Sequence, residues 1–205
     1  MIRKKLKNIF SIFISIRMKV YFIRHGHAEH NAAYDEKQDR SVYRSLDYKD
    51  SHLTEKGVQQ IKEVELPVKL PRRMDRVYSS PLTRCIETAR LLVGDRTILH
   101  LHDGLMETQG PFPCNWRPDI DTFRNSLSYY ILKDVNSSYT PYTKYYLTNI
   151  GETHEEVKER ASTTLEQIKS ECAALDNILV VTHNDWLESL FGRPFKNGEV
   201  LCVEC

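Results

Sequence analysis

The sequence predicts an α/β fold, a three-layer α/β/α sandwich around a mostly parallel sheet. Three observations predict it. Short apolar β-prone runs alternate with amphipathic helical patterns, as expected where crossover helices cover both faces of a sheet. Two of the runs, Val20-Tyr21-Phe22-Ile23 and Asn177-Ile178-Leu179-Val180-Val181-Thr182, are too continuously apolar for a strand with one wet face. Between them stands one complete βα unit with its own start and stop signals, Asp75 to Gly94.

Taken in order, Lys19 to Ile23 reads as the first buried strand, and a polar loop rich in Asp, Arg and Tyr follows. Thr54 is placed to cap a helix through Val58, Ile61 and Leu66 that stops near Pro67. The stretch DRVYSS, Asp75 to Ser80, is the next strand. Ser80 is expected to cap a helix with Pro81 in its first turn; Leu82, Ile86, Ala89 and Val93 share a stripe, and Gly94 ends it. Thr97 to Leu101 reads as a third strand. A long irregular region follows, with a helix expected around Asp119 to Lys133. From Glu152 a long helix carries Val157, Ala161, Leu165, Ile168, Cys172 and Leu175 on one stripe. After the NILVVT strand, NDWLESLF forms a short helix and Glu199 to Glu204 a last strand.

At 205 residues, 40% hydrophobic and 28% charged, the chain has ordinary globular chemistry. The formal net charge is +1, yet residues 1–17 hold five basic groups and no acid, so Met18 to Cys205 has 24 basic against 28 acidic groups, a net of −4. That balance argues against a nucleic-acid partner, which needs a basic contact face. The five cysteines are odd in number. Cys202 and Cys205 have C-x-x-C spacing at the end of the sequence, without a second ligand pair, so they read as reduced thiols and the expected location is cytoplasmic. The apolar run Ile9 to Ile16 behind Arg3, Lys4, Lys5 and Lys7 is too short to span a bilayer and lacks a small-residue cleavage site. Residues 1–17 are read as an extension outside the fold, with Met18 as an alternative start, and residues 18–205 as one domain with an excursion at about 105–150 over the site.

In open α/β sheets ligands bind beyond the carboxyl ends of the strands. Here the first strand runs into Arg24-His25, the second delivers Arg84 through SSPLTR, and NILVVT ends at His183 with a helix just behind. Three βα junctions distant in sequence therefore bring two guanidiniums and two imidazoles to one sheet edge. Such a set suits a compact anion of high charge density, and the expected one is a phosphoryl group.

The blocks IRHGHAEHN, LTEKG, VYSSPLTRCIETA, GETHEEVKERA and VVTHND, in this order from about Lys19 to Glu199, resemble the histidine phosphatase, or phosphoglycerate mutase-like, superfamily. The resemblance implies a phosphoglycerate mutase-like fold with His25 as the nucleophile, and Arg24, Arg84 and His183 holding the equatorial oxygens. It adds Asn31 and Asn184 as substrate-binding positions and Glu107 as the acid; Glu29, Glu36 and Asp103 are the alternative proton donors. The implied activity is phosphomonoester hydrolysis through a phosphohistidine, on a phosphorylated small molecule or phosphoprotein, without metal or other cofactor. A neutral imidazole attacks a phosphate dianion only where neighbouring cations offset the repulsion, and a departing alkoxide needs a proton from an acid with a raised pKa.

The pattern also departs from the family. His27-Ala28 replaces the Glu-Thr of many members, and METQGPFPCNWRPD lacks the Arg and Tyr-Gly that mutases place beside the acid. Phosphatase is therefore preferred to mutase, and a silent phospho-ligand or protein-binding module is the reading from another class. His25, His27 and His30 in an extended loop are read as solvated or pocket-lining rather than as a metal site. The segment from Trp116 to Tyr146, rich in tyrosine, is either a lid or a packed surface excursion.

Overall fold

The structure, a computed structural model, describes residues 18–64, 74–119, 121, 130–133 and 150–205. Its sheet has six strands: β1 Lys19–Arg24, β2 Arg76–Ser79, β3 Leu99–His102, β4 Tyr130–Lys133, β5 Asn177–Thr182 and β6 Val200–Glu204. Their spatial order is β4-β3-β2-β5-β1-β6. All neighbouring pairs are parallel except β1 with β6. Among the described residues the full helices are α1 Glu29–Lys37, α2 Glu55–Lys62, α3 Thr83–Val93, α4 His154–Glu171 and α5 Asn184–Phe191.

Side-chain alternation along the central strands builds two cores, one on each sheet face. Val20, Phe22, Tyr78, Ile178 and Val180 pack with Ala161 and Ile168 of α4 and with Trp186 and Leu187 of α5. Tyr21, Ile23, Val77, Leu179 and Val181 pack with Ile61 of α2 and with Cys85 and Ala89 of α3. The sandwich therefore has three layers. Burying each such aliphatic side chain contributes about 1.5–3 kcal/mol, which is why β1 and β5 carry no polar face.

Local signals set most of the boundaries. The Thr54 side chain accepts from Gly57 N–H at 3.1 Å and starts α2. Thr153 and Glu156 form a reciprocal capping box at α4. Gly94, at φ 81°, ends α3 in a conformation that favours glycine. Four expectations are corrected. The stretch after β1 is a helix, α1; only His30 and Ala33 of it are buried, so it carries little helical periodicity in its sequence. Within the helix expected at Asp119 to Lys133, Tyr130–Lys133 is a strand, because its β-prone residues extend the free side of β3, while 120 and 122–129 lie outside the described residues. The helix started by Thr54 ends at Lys62, and Leu66 and Pro67 fall outside the described residues. Helix α3 begins at Thr83 rather than behind Ser80, and its cap comes from a distance: Asp50 accepts from Thr83 N–H at 2.9 Å and from its hydroxyl at 2.5 Å. Residues 1–17 and most of 116–146 also lie outside the described residues, and with them the extension and most of the tyrosine-rich segment. No helix among the described residues is long and apolar enough to cross a membrane.

The LTEKG block has a packing reason. A Cβ placed on Gly57 would lie 2.0 Å from the His27 carbonyl oxygen, so α2 presses its backbone directly on the loop after β1. Alanine normally gains up to about 1 kcal/mol over glycine inside a helix, but here it meets unyielding backbone. Gly57→Ala is expected to lower unfolding free energy by at least about 2 kcal/mol in urea titration, against the propensity trend.

Candidate active site

Register decides what meets at the sheet edge. Arg24 of β1 pairs with Thr182 of β5, so the next residues, His25 and His183, leave the sheet side by side. His25 N–H donates to Thr182 O at 3.0 Å and Ser80 N–H to Val181 O at 3.0 Å, which pins the loop starts after β1 and β2 to the end of β5, where His183 follows. The two imidazole centroids are 5.1 Å apart. Both rings are buried, His25 at 1% and His183 at 0% exposure, and Arg84 lies between them at 0%.

The tautomer of His25 follows from its loop. Nδ1 sits 2.7 Å from Gly26 O, and a carbonyl only accepts, so the proton is on Nδ1 and the Nε2 lone pair points into the site. Arg84 Nε–H donates to that Nε2 at 3.2 Å. Its other nitrogens donate to Cys114 O at 2.5 Å, Asn115 Oδ1 at 2.9 Å and His183 Nδ1 at 3.3 Å. Because Arg84 can only donate, His183 Nδ1 is the acceptor and the proton of the neutral ring sits on Nε2, which donates to Ser80 Oγ at 2.8 Å. Burial, followed by the charge of Arg84, holds both His25 and His183 well below the usual imidazole range, so both rings are neutral at pH 7. Arg24 donates to Phe195 O at 2.5 Å, and its Nε is buried without a hydrogen-bond partner among the described residues. It also lines an open groove of about 1070 Å³ with Lys56, Arg193 and Lys196.

Glu107 follows a short 3-10 turn, Asp103–Leu105, after β3. Its Oε1 accepts backbone N–H from Thr108 at 3.1 Å and from Asp185, in the first turn of α5, at 3.2 Å. Desolvation and the neighbouring Asp185 carboxylate push its pKa up to about 8, while Arg84 and Arg24 pull the other way. The group is thus an acid at neutral pH. The alternative donors are otherwise engaged: Asp103 pairs with Arg117 at 2.8 Å, Glu29 accepts from His52 N–H at 3.1 Å, and Glu36 is exposed.

Residues 20–197 match the model of the histidine phosphatase superfamily (branch 1). The chain belongs to this superfamily. A phosphoglycerate mutase-like protein of Arabidopsis thaliana is 37% identical over 73 residues, which span 34% of this chain and 26% of that protein. Among solved structures, phosphoglycerate mutase from Bacillus anthracis has a TM-score of 0.59 at 20% identity, covering 92% of this chain and 88% of the other. Phosphoserine phosphatase from Entamoeba histolytica, in complex with 3-phosphoglyceric acid, has 0.58 at 21%, covering 90% and 89%. The alpha-ribazole phosphatase of Shigella flexneri has 0.55 at 21%, covering 90% and 89%. These structures share the phosphoglycerate mutase-like fold.

In this superfamily member, Arg24, His25, Arg84 and His183 come together, with Glu107 within electrostatic reach of both arginines. Asn31, in the first turn of α1, accepts from Ala28 N–H at 3.0 Å and from the Asn197 amide at 3.5 Å. Asn184 instead turns to the chain after α5, where it accepts from Phe195 N–H at 2.9 Å and donates to Glu188 at 3.0 Å. His27 is fixed 2.8 Å from Thr54 Oγ1 and 3.1 Å from Asp35 Oδ2, and among the described residues no group of three or more His, Cys, Asp or Glu is arranged to hold a metal ion.

Several supporting residues were not anticipated. Asn115 and the Cys114 carbonyl grip Arg84, and Asn197 donates to His25 O at 3.1 Å. Thr88 Oγ1 accepts from Gly26 N–H at 3.1 Å. Each acts from a loop or helix with no local pattern that marks it. The one available signal is the density of turn-forming residues in PFPCN, Pro111 to Asn115.

Proposed function

We propose that this chain is a phosphomonoester hydrolase that works through a phosphohistidine on His25. The observation that carries the proposal is the buried Nε2 of His25, kept unprotonated by the Nδ1–H bond to Gly26 O and flanked by Arg24, Arg84 and His183. The phosphoryl oxygens compete for the Arg84 Nε–H, which releases the lone pair for attack. Nε2 then bonds to phosphorus as the ester P–O bond breaks, and the leaving oxygen takes the proton of Glu107. In the second half, the Glu107 carboxylate removes a proton from water, the new P–O bond forms, the P–N bond breaks, and phosphate leaves a neutral imidazole. Positioning and charge stabilisation supply most of the acceleration.

The catalytic unit in this proposal is residues 18–205, in a reducing, cytoplasmic setting that keeps the free cysteines Cys85, Cys114, Cys172, Cys202 and Cys205 reduced. Its substrate is a phosphorylated small molecule or phosphoprotein, in line with relatives named for phosphoserine and alpha-ribazole phosphate chemistry. Incubation with p-nitrophenyl phosphate and with monophosphoglycerates, for the native chain and His25→Ala, tests it. Phosphate release that the variant loses supports the hydrolase. Isomerisation of phosphoglycerate supports a mutase, and binding without turnover a silent module; either overturns the proposal.

Glu107 gives this reading a pH signature. An acid with a pKa of about 8 donates its proton below that pH, so hydrolysis of an alkyl monoester falls as pH rises through about 8. Glu107→Gln should remove that limb and lower kcat about 100-fold, with a smaller loss for the better p-nitrophenolate leaving group. Its stability effect has the opposite sign. The folded chain keeps this proton up to about pH 8, whereas the unfolded carboxyl releases it near the ordinary 4.5, so stability declines with rising pH across that window. Glu107→Gln is therefore expected to gain on the order of 2 kcal/mol at pH 8.5 relative to the native chain, and little at pH 4.5, measured by urea unfolding.

A further inference from the structure

We propose that His30 is a further phosphate-binding residue, whose ring N–H donates to an equatorial oxygen of the phosphoryl group held at His25. The inference rests on the hydrolase reading and adds a residue to its site. His30 lies in the first turn of α1, the helix that the sequence did not announce, and only 6% of it is exposed. Its centroid is 6.0 Å from that of His25, close enough for one phosphoryl group to touch both rings. Its Nδ1 is buried and has no hydrogen-bond partner among the described residues. Burying a polar nitrogen without a partner is costly, so its survival beside a charged site points to a ligand that completes it.

Two further features fit. Arg24 Nε, at the neighbouring position on β1, is likewise buried and unpartnered, so the two lone nitrogens belong to residues on either side of the nucleophile's loop. The ring of His30 is held from behind: Tyr43 meets it edge-on at 5.9 Å and itself stacks on Tyr34 at 5.5 Å. His27 shows the contrast, because both of its ring nitrogens are bonded to Thr54 and Asp35. Desolvation and the charges of Arg84 and Arg24 keep the His30 imidazole neutral, which leaves it one N–H to give without adding a charge to the cradle.

The test uses two variants and two readouts. His30→Phe keeps the aromatic contact with Tyr43 and removes both nitrogens; His30→Asn returns an amide near the place of Nδ1. Circular dichroism establishes that each is folded, calorimetry measures inorganic phosphate binding, and steady-state kinetics use p-nitrophenyl phosphate. A donor that contacts the phosphoryl group in both ground and transition states acts mainly on KM. The Phe variant should bind phosphate about tenfold more weakly and raise KM to a similar extent, with kcat little changed, and the Asn variant should recover most of the loss. Native-like phosphate binding by the folded Phe variant overturns the assignment, as does an Asn variant as impaired as Phe. If the native chain neither binds phosphate nor turns over ester, the hydrolase reading falls and this inference with it; native turnover with an unaffected Phe variant removes His30 alone.

Discussion

His25→Ala abolishes hydrolysis, by an expected factor of at least about 10⁴ in kcat, because no other nucleophile stands at the place of Nε2. Its neighbours cannot substitute. Burial pushes the Cys85 thiol up, out of the thiolate range at neutral pH, and His183 Nε2 is occupied 2.8 Å from Ser80 Oγ. The variant keeps Arg24, Arg84 and His183, so it should still bind inorganic phosphate, which separates loss of chemistry from loss of the site. Kinetics on p-nitrophenyl phosphate and calorimetry with phosphate read the two effects. Residual turnover within a hundredfold of the native chain would contradict the assignment.

Arg84→Lys carries the second large effect. The guanidinium reaches His25 Nε2, Cys114 O, Asn115 Oδ1 and His183 Nδ1 at once, between 2.5 and 3.3 Å. An ammonium on a flexible stem offers no planar fork and cannot span these partners, so the charge survives while the geometry does not. Loss of the paired N–H donors should lower kcat/KM about 10²- to 10³-fold. Stability should fall as well, by about 1–3 kcal/mol, because the buried Asn115 side chain and Cys114 carbonyl lose their donor. The second readout distinguishes Arg84 from a surface charge, whose replacement by lysine would be nearly silent in urea unfolding. An Arg84→Lys enzyme within tenfold of native would show that charge alone suffices.

What was legible in the sequence follows the range of the interactions involved. The strands Val20 to Ile23 and Ile178 to Val181 announce themselves because burial on both faces leaves no polar position in them. Gly94 and Thr54 are local caps, readable within a few residues. The site could be anticipated because parallel strands that start together also end together, which sets His25 beside His183 without any side-chain information. Interactions across the fold left no such trace. Asp50 caps α3 from 33 residues upstream, Asn115 holds Arg84 from 31 residues downstream, and Asn197 reaches back 172 residues to His25. Helix α1 was missed for a different reason: its buried side is only His30 and Ala33, and its first turn serves the site rather than the core. Strand β4 was read as helix because a segment of four residues, Tyr130–Lys133, is too short for its period to separate the two, and pairing with β3 decides it.

The opposing ionisations around the site also predict where the protein is most stable. His25, His30 and His183 are held below the ordinary 6.5, so acid must protonate buried rings and stability falls as pH drops below about 6.5. Glu107 works in the other direction, losing stability toward pH 8. The same desolvated pocket thus keeps the nucleophile free of its proton and the acid in possession of one.

The most direct measurement is rapid-quench trapping during turnover of a ³²P-labelled monoester, followed by peptide mapping of the denatured protein. A phosphoryl group bound through nitrogen, stable to alkali and lost in acid, located on the peptide that contains His25 and formed no more slowly than turnover, is the predicted result. Phosphate release with no such adduct, or an adduct on another residue, would contradict the account.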